Sequence, residues 1–251
     1  MRVEVLTLFP ELVEQLTSVG IPRIAAASGA LTLVTRQLRD FSGNRWNRVD
    51  ERPFGGGPGM VMQPEPLAQA VAAARQECGA GAPVLVMSPQ GERFDQRWAE
   101  RLAKEPAWIV VCGRYEGMDE RFLASEVTAE LSLGDFVLSG GEIAVMAMVD
   151  AVTRLLPGVL GDAESAVSDS FSAGHLDHPH YTRPVNWRGM PVPDVLLSGD
   201  HKAIAQWRLA NALGQTWLKR PDLLAGLELK AAHHMLLREY LSEYASQWPD
   251  K

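Results

Sequence analysis

Cysteine is nearly missing: the 251 residues hold two, Cys78 and Cys112, in no metal-binding or redox spacing. That counts against a disulfide-stapled secreted scaffold, and both read as reduced thiols, Cys112 at the end of a buried strand. Long apolar runs are missing too, none approaching the roughly 20 residues a membrane span needs. The opening MRVEVLTLFPEL is too short and too acidic for a signal peptide, so a cytoplasmic protein with no membrane partner is expected. Positive charge is scarce: 24 Lys and Arg stand against 31 Asp and Glu, a net −7. Such a balance counts against a protein that coats nucleic acid indiscriminately, though not against local basic patches. No G-x-x-x-x-G-K-[ST] occurs, which speaks against a P-loop nucleotidase. FGGGPGM (54–60) lacks the third glycine of a dinucleotide fingerprint and follows an arginine-rich loop instead of a strand.

What is present is ordinary globular material, 46% apolar and 22% charged, enough for a core. VEVLTLF (3–9) is a strand-like run, and Pro10 suits the first turn of a helix carrying Leu12, Val13 and Leu16. LTLVTRQL (31–38) reads as a second strand, and PEPLAQAVAAARQE (64–77) has helical spacing behind a proline start. PVLVMS (83–88) and WIVVCG (108–113) are continuous apolar runs, the pattern of strands buried on both faces of a parallel sheet. The amphipathic helix DQRWAERLAK (95–104) lies between them, and the alternation predicts an α/β domain. Residues 156–194 then lose all periodicity, as a functional loop or interdomain linker does. Beyond them the chain is helical: 200–214 capped by Asp200 and ending at Gly214, a short turn at 221–226, and a long helix over 227–247.

Three glycine-bearing turns follow apolar strands: MSPQGER (87–93), CGRYEGMDER (112–121) and LSLGDFVLSGGE (131–142). Ligands of open α/β sheets sit outside the carboxyl ends of the strands, so these turns are expected to converge on one pocket. Cationic side chains there are limited to Arg93, Arg114 and Arg121. Backbone N–H and C=O groups in such turns suit an adenine and a ribose better than a polyphosphate. Elsewhere, residues 36–52 gather Arg36, Arg39, Arg45, Arg48 and Arg52 around Phe41 and Trp46. Arginines among aromatics pair with phosphates and stack on bases. A solvated loop with Asp40, Asp50 and Glu51 as local partners is the other reading. His175, His178 and His180 sit together in HLDHPHY, but zinc sites want four convergent ligands and neither cysteine is near in sequence, so no metal ligand is assigned.

The series CGRYEG, LSLGDFVLSGGE, LLPGVLG, DSF and LDHPHYTRP resembles the bacterial tRNA (guanine-N1)-methyltransferase family, TrmD, of the SPOUT superfamily. The likeness runs from RVEVLTLFP through VLLSGDH to IAQWRLANALGQTWLKRPDLL, in the family's order. It implies an α/β fold with a SPOUT-type parallel sheet and a C-terminal trefoil knot, followed by a small, mostly α-helical domain. The implied layout is a knotted S-adenosylmethionine-binding domain over 1–160, an interdomain linker over 161–176 carrying a catalytic aspartate, and a helical tRNA-binding domain over 177–251. The implied reaction moves the methyl of S-adenosylmethionine to N1 of the guanosine 3′-adjacent to the anticodon.

By match of motif, the cofactor cradle is Met87, Ser88 and Pro89, then Gly113, Tyr115 and Glu116, then Leu133, Gly134, Asp135, Phe136, Val137 and Leu138, with Gly140 and Gly141. Asp169 is implied as the general base and Arg154 as the cation facing charge on the guanine O6. Glu116 is implied to order the methionine end or an associated Mg2+. Arg154, His180, Tyr181, Arg183 and Gly59 are the implied substrate contacts. The implied partners are the tRNA anticodon stem-loop and a second copy of the chain, in a homodimer with active sites shared between subunits. No motif in the sequence itself demands a dimer. Phe136 and Val86 stand where many relatives carry tyrosine. The rival readings are another SPOUT RNA methyltransferase, for instance on a ribose 2′-OH, a nonenzymatic RNA-binding protein, and a metal hydrolase built on the linker histidines.

Overall fold

The computed structural model describes residues 1–161 and 169–247. They fall into two compact units, one within Met1–Ala163 and one within Glu164–Lys251. The expected linker, 161–176, therefore lies partly outside the described residues.

In the first unit, β1 (Arg2–Thr7) leads through α1 (Pro10–Glu14) and α2 (Gly20–Ala27) to β2 (Thr32–Gln37). A two-stranded ribbon, β3 (Asp50–Glu51) with β4 (Val61–Met62), precedes α3 (Pro64–Cys78) and β5 (Val84–Arg93). Then come α4 (Gln96–Leu102), β6 (Ala107–Cys112), α5 (Glu120–Glu126), β7 (Ala129–Ser132) and α6 (Glu142–Thr153). The five long strands form one parallel sheet in the order β2-β1-β6-β5-β7. Every residue of β6 is buried, as its unbroken apolar run predicts. Alternation along the strands feeds two cores. Val3, Val5, Trp108, Val110 and Cys112 pack with α1, α2, α4 and α6, while Leu6, Ile109 and Val111 pack with α3 and α5. The expected α/β domain is thus a sheet covered by helices on both faces.

Local chemistry sets the helix starts. Proline opens α1 and α3, where a missing N–H costs nothing. Asp95 caps α4 by accepting from Trp98 N at 3.1 Å, and Asp119 caps α5 by accepting from Arg121 N at 3.0 Å. α2 and α5, of eight and seven residues, hold too few turns to leave a clear period in the sequence.

Two expectations for the first unit need correction. Arg36 does not belong to an open basic patch: its Nε lies 2.6 Å from Oε2 of Glu4, a fully buried carboxylate on β1 that Arg2 pairs from the other side at 2.7 Å. A charge that deep persists because it is doubly paired. MSPQGER, in turn, does not end its strand. β5 pairs with β7 at Met87, leaves it, and resumes pairing at Glu92, so the turn is an excursion inside the strand. Gly91 permits the return, because a Cβ there would strike the backbone of Glu130 and Leu131.

The second unit begins irregularly but hides a hairpin, β8 (Asn186–Trp187) with β9 (Met190–Pro191), too short to leave a period in the sequence. Four helices follow: α7 (Asp194–Leu197), α8 (His201–Lys219), α9 (Pro221–Ala225) and α10 (Ala231–Gln247). Asp200 caps α8 as expected, accepting from Lys202 N and Ala203 N. The helix does not stop at Gly214, however. The Tyr240 ring of α10 occupies the space a Cβ would need, so this glycine serves close helix packing, not termination. α10 starts at Ala231 instead of 227, because Leu227 and Leu229 join the Leu213, Leu224 and Leu237 core from the preceding loop. No helix among the described residues is long and apolar enough to cross a membrane.

Candidate active site

The excursion within β5 and the carboxyl ends of β6 and β7 open into one cavity of about 390 Å3, lined by all three glycine-bearing turns. Small-molecule sites typically span about 300–1,000 Å3. Of the expected cofactor residues, Met87, Ser88, Pro89, Gly113, Tyr115, Glu116, Leu133, Gly134, Phe136, Val137, Leu138, Gly140 and Gly141 all line it. Asp135 is exposed at the tip of the third turn and does not.

Close backbone approach forms the cavity floor. Gly141 N donates to Gly113 O at 2.9 Å, and a Cβ on Gly141 would sit 2.9 Å from Cys112 Cα and 3.0 Å from Gly113 N. Only glycine fits there. Tyr115 holds φ +61°, a left-handed conformation that costs a tyrosine roughly 1–3 kcal/mol. Its neighbours fix it: Glu116 N donates to Met60 O at 2.9 Å and Met62 N to Gly117 O at 2.9 Å, so residues 60–62 run along the second turn. This brings together two expected site residues, since Gly59 lies directly under the side chain of Glu116.

The expected proton-transfer residues stand in different units. Arg154 is the C-cap of α6 in the first, its N donating to Asp150 O at 3.2 Å. Asp169 opens a tight turn in the second, where Ser172 N donates to Asp169 O at 3.3 Å and Phe171 holds φ +76°. His180, Tyr181 and Arg183 are exposed in that unit. His180 Nε2 donates to Asp177 Oδ2 at 2.9 Å, and the Tyr181 ring sits edge-on to Trp207 at 6.1 Å. In the 36–52 loop, Arg45 stacks over the exposed Trp46 at 4.4 Å. Among the described residues, no ion pair joins the arginines of this loop to Asp40, Asp50 or Glu51.

Sequence comparison supplies the family. The profile of tRNA (Guanine-1)-methyltransferase TrmD matches residues 1–226. The chain belongs to this family. A relative from Halorhodospira halophila, called tRNA (guanine-N(1)-)-methyltransferase, is 52% identical over 98% of the chain and 93% of its own length. The protein of the same name from Methylococcus capsulatus is 52% identical over 98% of both chains. One from Escherichia coli is 48% identical over 98% of this chain and 97% of its own. This is therefore a methyltransferase of the TrmD family, and the cavity is the place to look for its ligand.

Beneath the cavity lies a polar network that the sequence reading did not foresee. Glu142, the first residue of α6, is almost wholly buried. Arg114 meets it through Nε at 3.0 Å and Nη2 at 2.8 Å, and Thr7 Oγ1 donates to its Oε1 at 2.8 Å. Thr7 Oγ1 in turn accepts from Phe9 N at 3.0 Å, and the Arg114 guanidinium lies 4.4 Å over the Phe9 ring. Buried beside them, the Cys112 thiol is pushed well above its ordinary pKa, chiefly by burial and further by Glu142. In a TrmD-family chain the available clue was one carboxylate heading the apolar helix EIAVMAMV. Its partners lie 28 and 135 residues away, beyond the reach of any local pattern.

Proposed function

We propose that the chain transfers the methyl group of S-adenosylmethionine to N1 of the guanosine 3′-adjacent to the anticodon of tRNA. The carrying observation is the convergence of three backbone-rich turns on one cavity in a TrmD-family chain. When bound, S-adenosylmethionine supplies an electrophilic methyl on a sulfonium. The size and lining of the cavity support such a ligand: Gly113, Gly140 and Gly141 let the backbone of its turns pack closely, and Met87, Leu133 and Leu138 give apolar walls.

Neutral guanine holds a proton on N1, and its loss makes the nitrogen nucleophilic. In this reading Asp169 takes that proton as the N1–C bond forms and the sulfonium C–S bond breaks, leaving S-adenosylhomocysteine. Arg154 faces the negative charge that grows on O6. Glu116, beside Gly59, orders the methionine end or an accompanying Mg2+. The base has to leave its stack to reach the cavity. Tyr181, Arg183 and His180, with the Arg45–Trp46 stack, offer the cations and rings that an anticodon stem-loop requires.

The acting species is a cytoplasmic homodimer, each site combining the cavity of one subunit with the linker and helical unit of the other. Exposed Phe136, Val137 and Ile143 around the third turn supply apolar surface for such a contact. The test is transfer of a labelled methyl to tRNA transcripts with the candidate guanosine present or replaced, followed by nuclease digestion to locate the label. Label on guanine N1 of the first transcript alone is expected. Equal labelling of both, or label on a ribose oxygen, overturns the reading.

A further inference from the structure

In the second unit, one ligand atom from each of Asp177, His178 and His180 lies within 4.8 Å of the others. Local hydrogen bonds hold all three. Asp177 N donates to Ser170 Oγ at 3.0 Å, and Asp177 Oδ1 accepts from His178 N at 2.7 Å, which turns the carboxylate back over its own loop. His178 Nδ1 lies 3.1 Å from Pro179 O, which fixes the ring proton on Nδ1 and leaves the Nε2 lone pair unused. That Nε2 is 3.8 Å from Asp177 Oδ1, and His180 Nε2 is 2.9 Å from Asp177 Oδ2. The two imidazoles face one another with ring centres 4.5 Å apart, and the Trp207 ring walls the His178 side at 6.3 Å.

We propose that Asp177, His178 and His180 form a binding site for a divalent transition metal ion, zinc above others. Two imidazoles and a carboxylate, with water in the fourth position, are a common zinc set. The same donors do not suit Mg2+, which demands oxygen ligands in near-octahedral array. Zinc–ligand bonds near 2.1 Å place tetrahedral ligands about 3.4 Å apart, so the widest gap has to close by rather more than an ångström. His180 can supply that movement, because its side chain is 71% exposed while those of His178 and Asp177 are mostly covered. The proton His180 now shares with Asp177 moves to its solvent-facing Nδ1, and both groups turn their lone pairs to the ion. Sequence spacing concealed the site because it looked for a fourth protein ligand. The site shares His180 with the tRNA-facing group of the methyl-transfer reading, but zinc binding is measured without tRNA or methyl donor.

The test is calorimetric titration of the chelator-stripped full chain with zinc chloride in excess Mg2+. One Zn2+ per chain is expected, with affinity lowered tenfold or more in His178→Ala and in Asp177→Asn. Circular dichroism melts establish that both variants are folded. Ring nitrogen NMR of the unaltered protein is the second measurement: the Nε2 signals of His178 and His180 should move on zinc addition, those of His201 and His234 should not. Equal zinc affinity in the variants, or shifts confined to other histidines, overturns the site.

Discussion

Arg114 clasps the buried Glu142 through Nε and Nη2 while its Nη1 donates to Ser139 O at 3.0 Å, so one side chain ties the head of α6 to the third glycine-bearing turn. Arg114→Ala would leave the Glu142 carboxylate buried with only Thr7 as partner. Removing one member of a buried pair costs about 3–5 kcal/mol, and the partial exposure of Arg114 puts the expectation at about 3. Urea denaturation measures it. Arg114→Lys should recover less than half, because a point charge cannot keep both contacts to Glu142 and the one to Ser139.

Gly140 lies against the same guanidinium, with no room for a Cβ. Gly140→Ala should therefore push Arg114 off Ser139 and weaken S-adenosylmethionine binding about tenfold or more, as read by calorimetry. Gly43→Ala is the control, since its Cβ would meet nothing within 4 Å. Equal binding by both variants would remove the steric account.

Asp169→Ala separates chemistry from binding. With a general base worth about 10²- to 10⁴-fold, single-turnover methyl transfer should fall by that factor while cofactor affinity stays unchanged. A parallel loss of affinity would mean that Asp169 acts by shaping the site, not by taking a proton.

Asp119 makes a pH prediction. Hydrogen bonds from the Arg121 side chain, and after them its backbone N–H, outweigh slight burial and hold the carboxyl down to about 2. A pKa lowered by folding gives stability that is complete above the unfolded value of 3.8 and is lost as pH falls towards 2. Asp119→Ala should cost about 1 kcal/mol at pH 7 through the lost α5 cap, with the difference from the parent closing between about pH 4 and pH 2. Denaturation midpoints across that range give the answer.

Both thiols sit above their ordinary pKa because of burial, Cys112 far more than the half-buried Cys78. At neutral pH iodoacetamide should label Cys78 slowly and Cys112 not at all in the folded chain, and both equally in urea. Mass spectrometry distinguishes the sites.

The sheet and most helix starts were legible because their signals are local. WIVVCG is apolar without a break, and Pro10, Pro64 and Asp200 mark helix beginnings within one turn of chain. The three glycine-bearing turns were legible for the same reason, two standing at strand ends and the first, inside β5, looking like one from the local pattern alone. Gly214 misled because a glycine reads alike whether it ends a helix or admits the Tyr240 ring. Arg36 misled because its sequence neighbours are basic, whereas its partner, Glu4, is a neighbour only through sheet pairing. Glu142 and Thr7 escaped because a helix start and a strand end 135 residues apart meet only in the folded chain. The Asp169 and Arg154 roles came from family likeness alone, since one acid in a polar loop and one arginine at a helix end carry no mark of their own.

Met87 and Glu92 of β5 both pair with Leu131, so the first glycine-bearing turn stands with its two feet on one stone of the neighbouring strand. A four-residue arch so anchored has little freedom to surrender when a ligand arrives, and it cannot swing aside to admit one. Among the described residues, the third turn has no such double footing in the strand ladder, and its Asp135–Leu138 crest is exposed. The cavity thus has one wall braced by strand pairing and another made of an exposed loop.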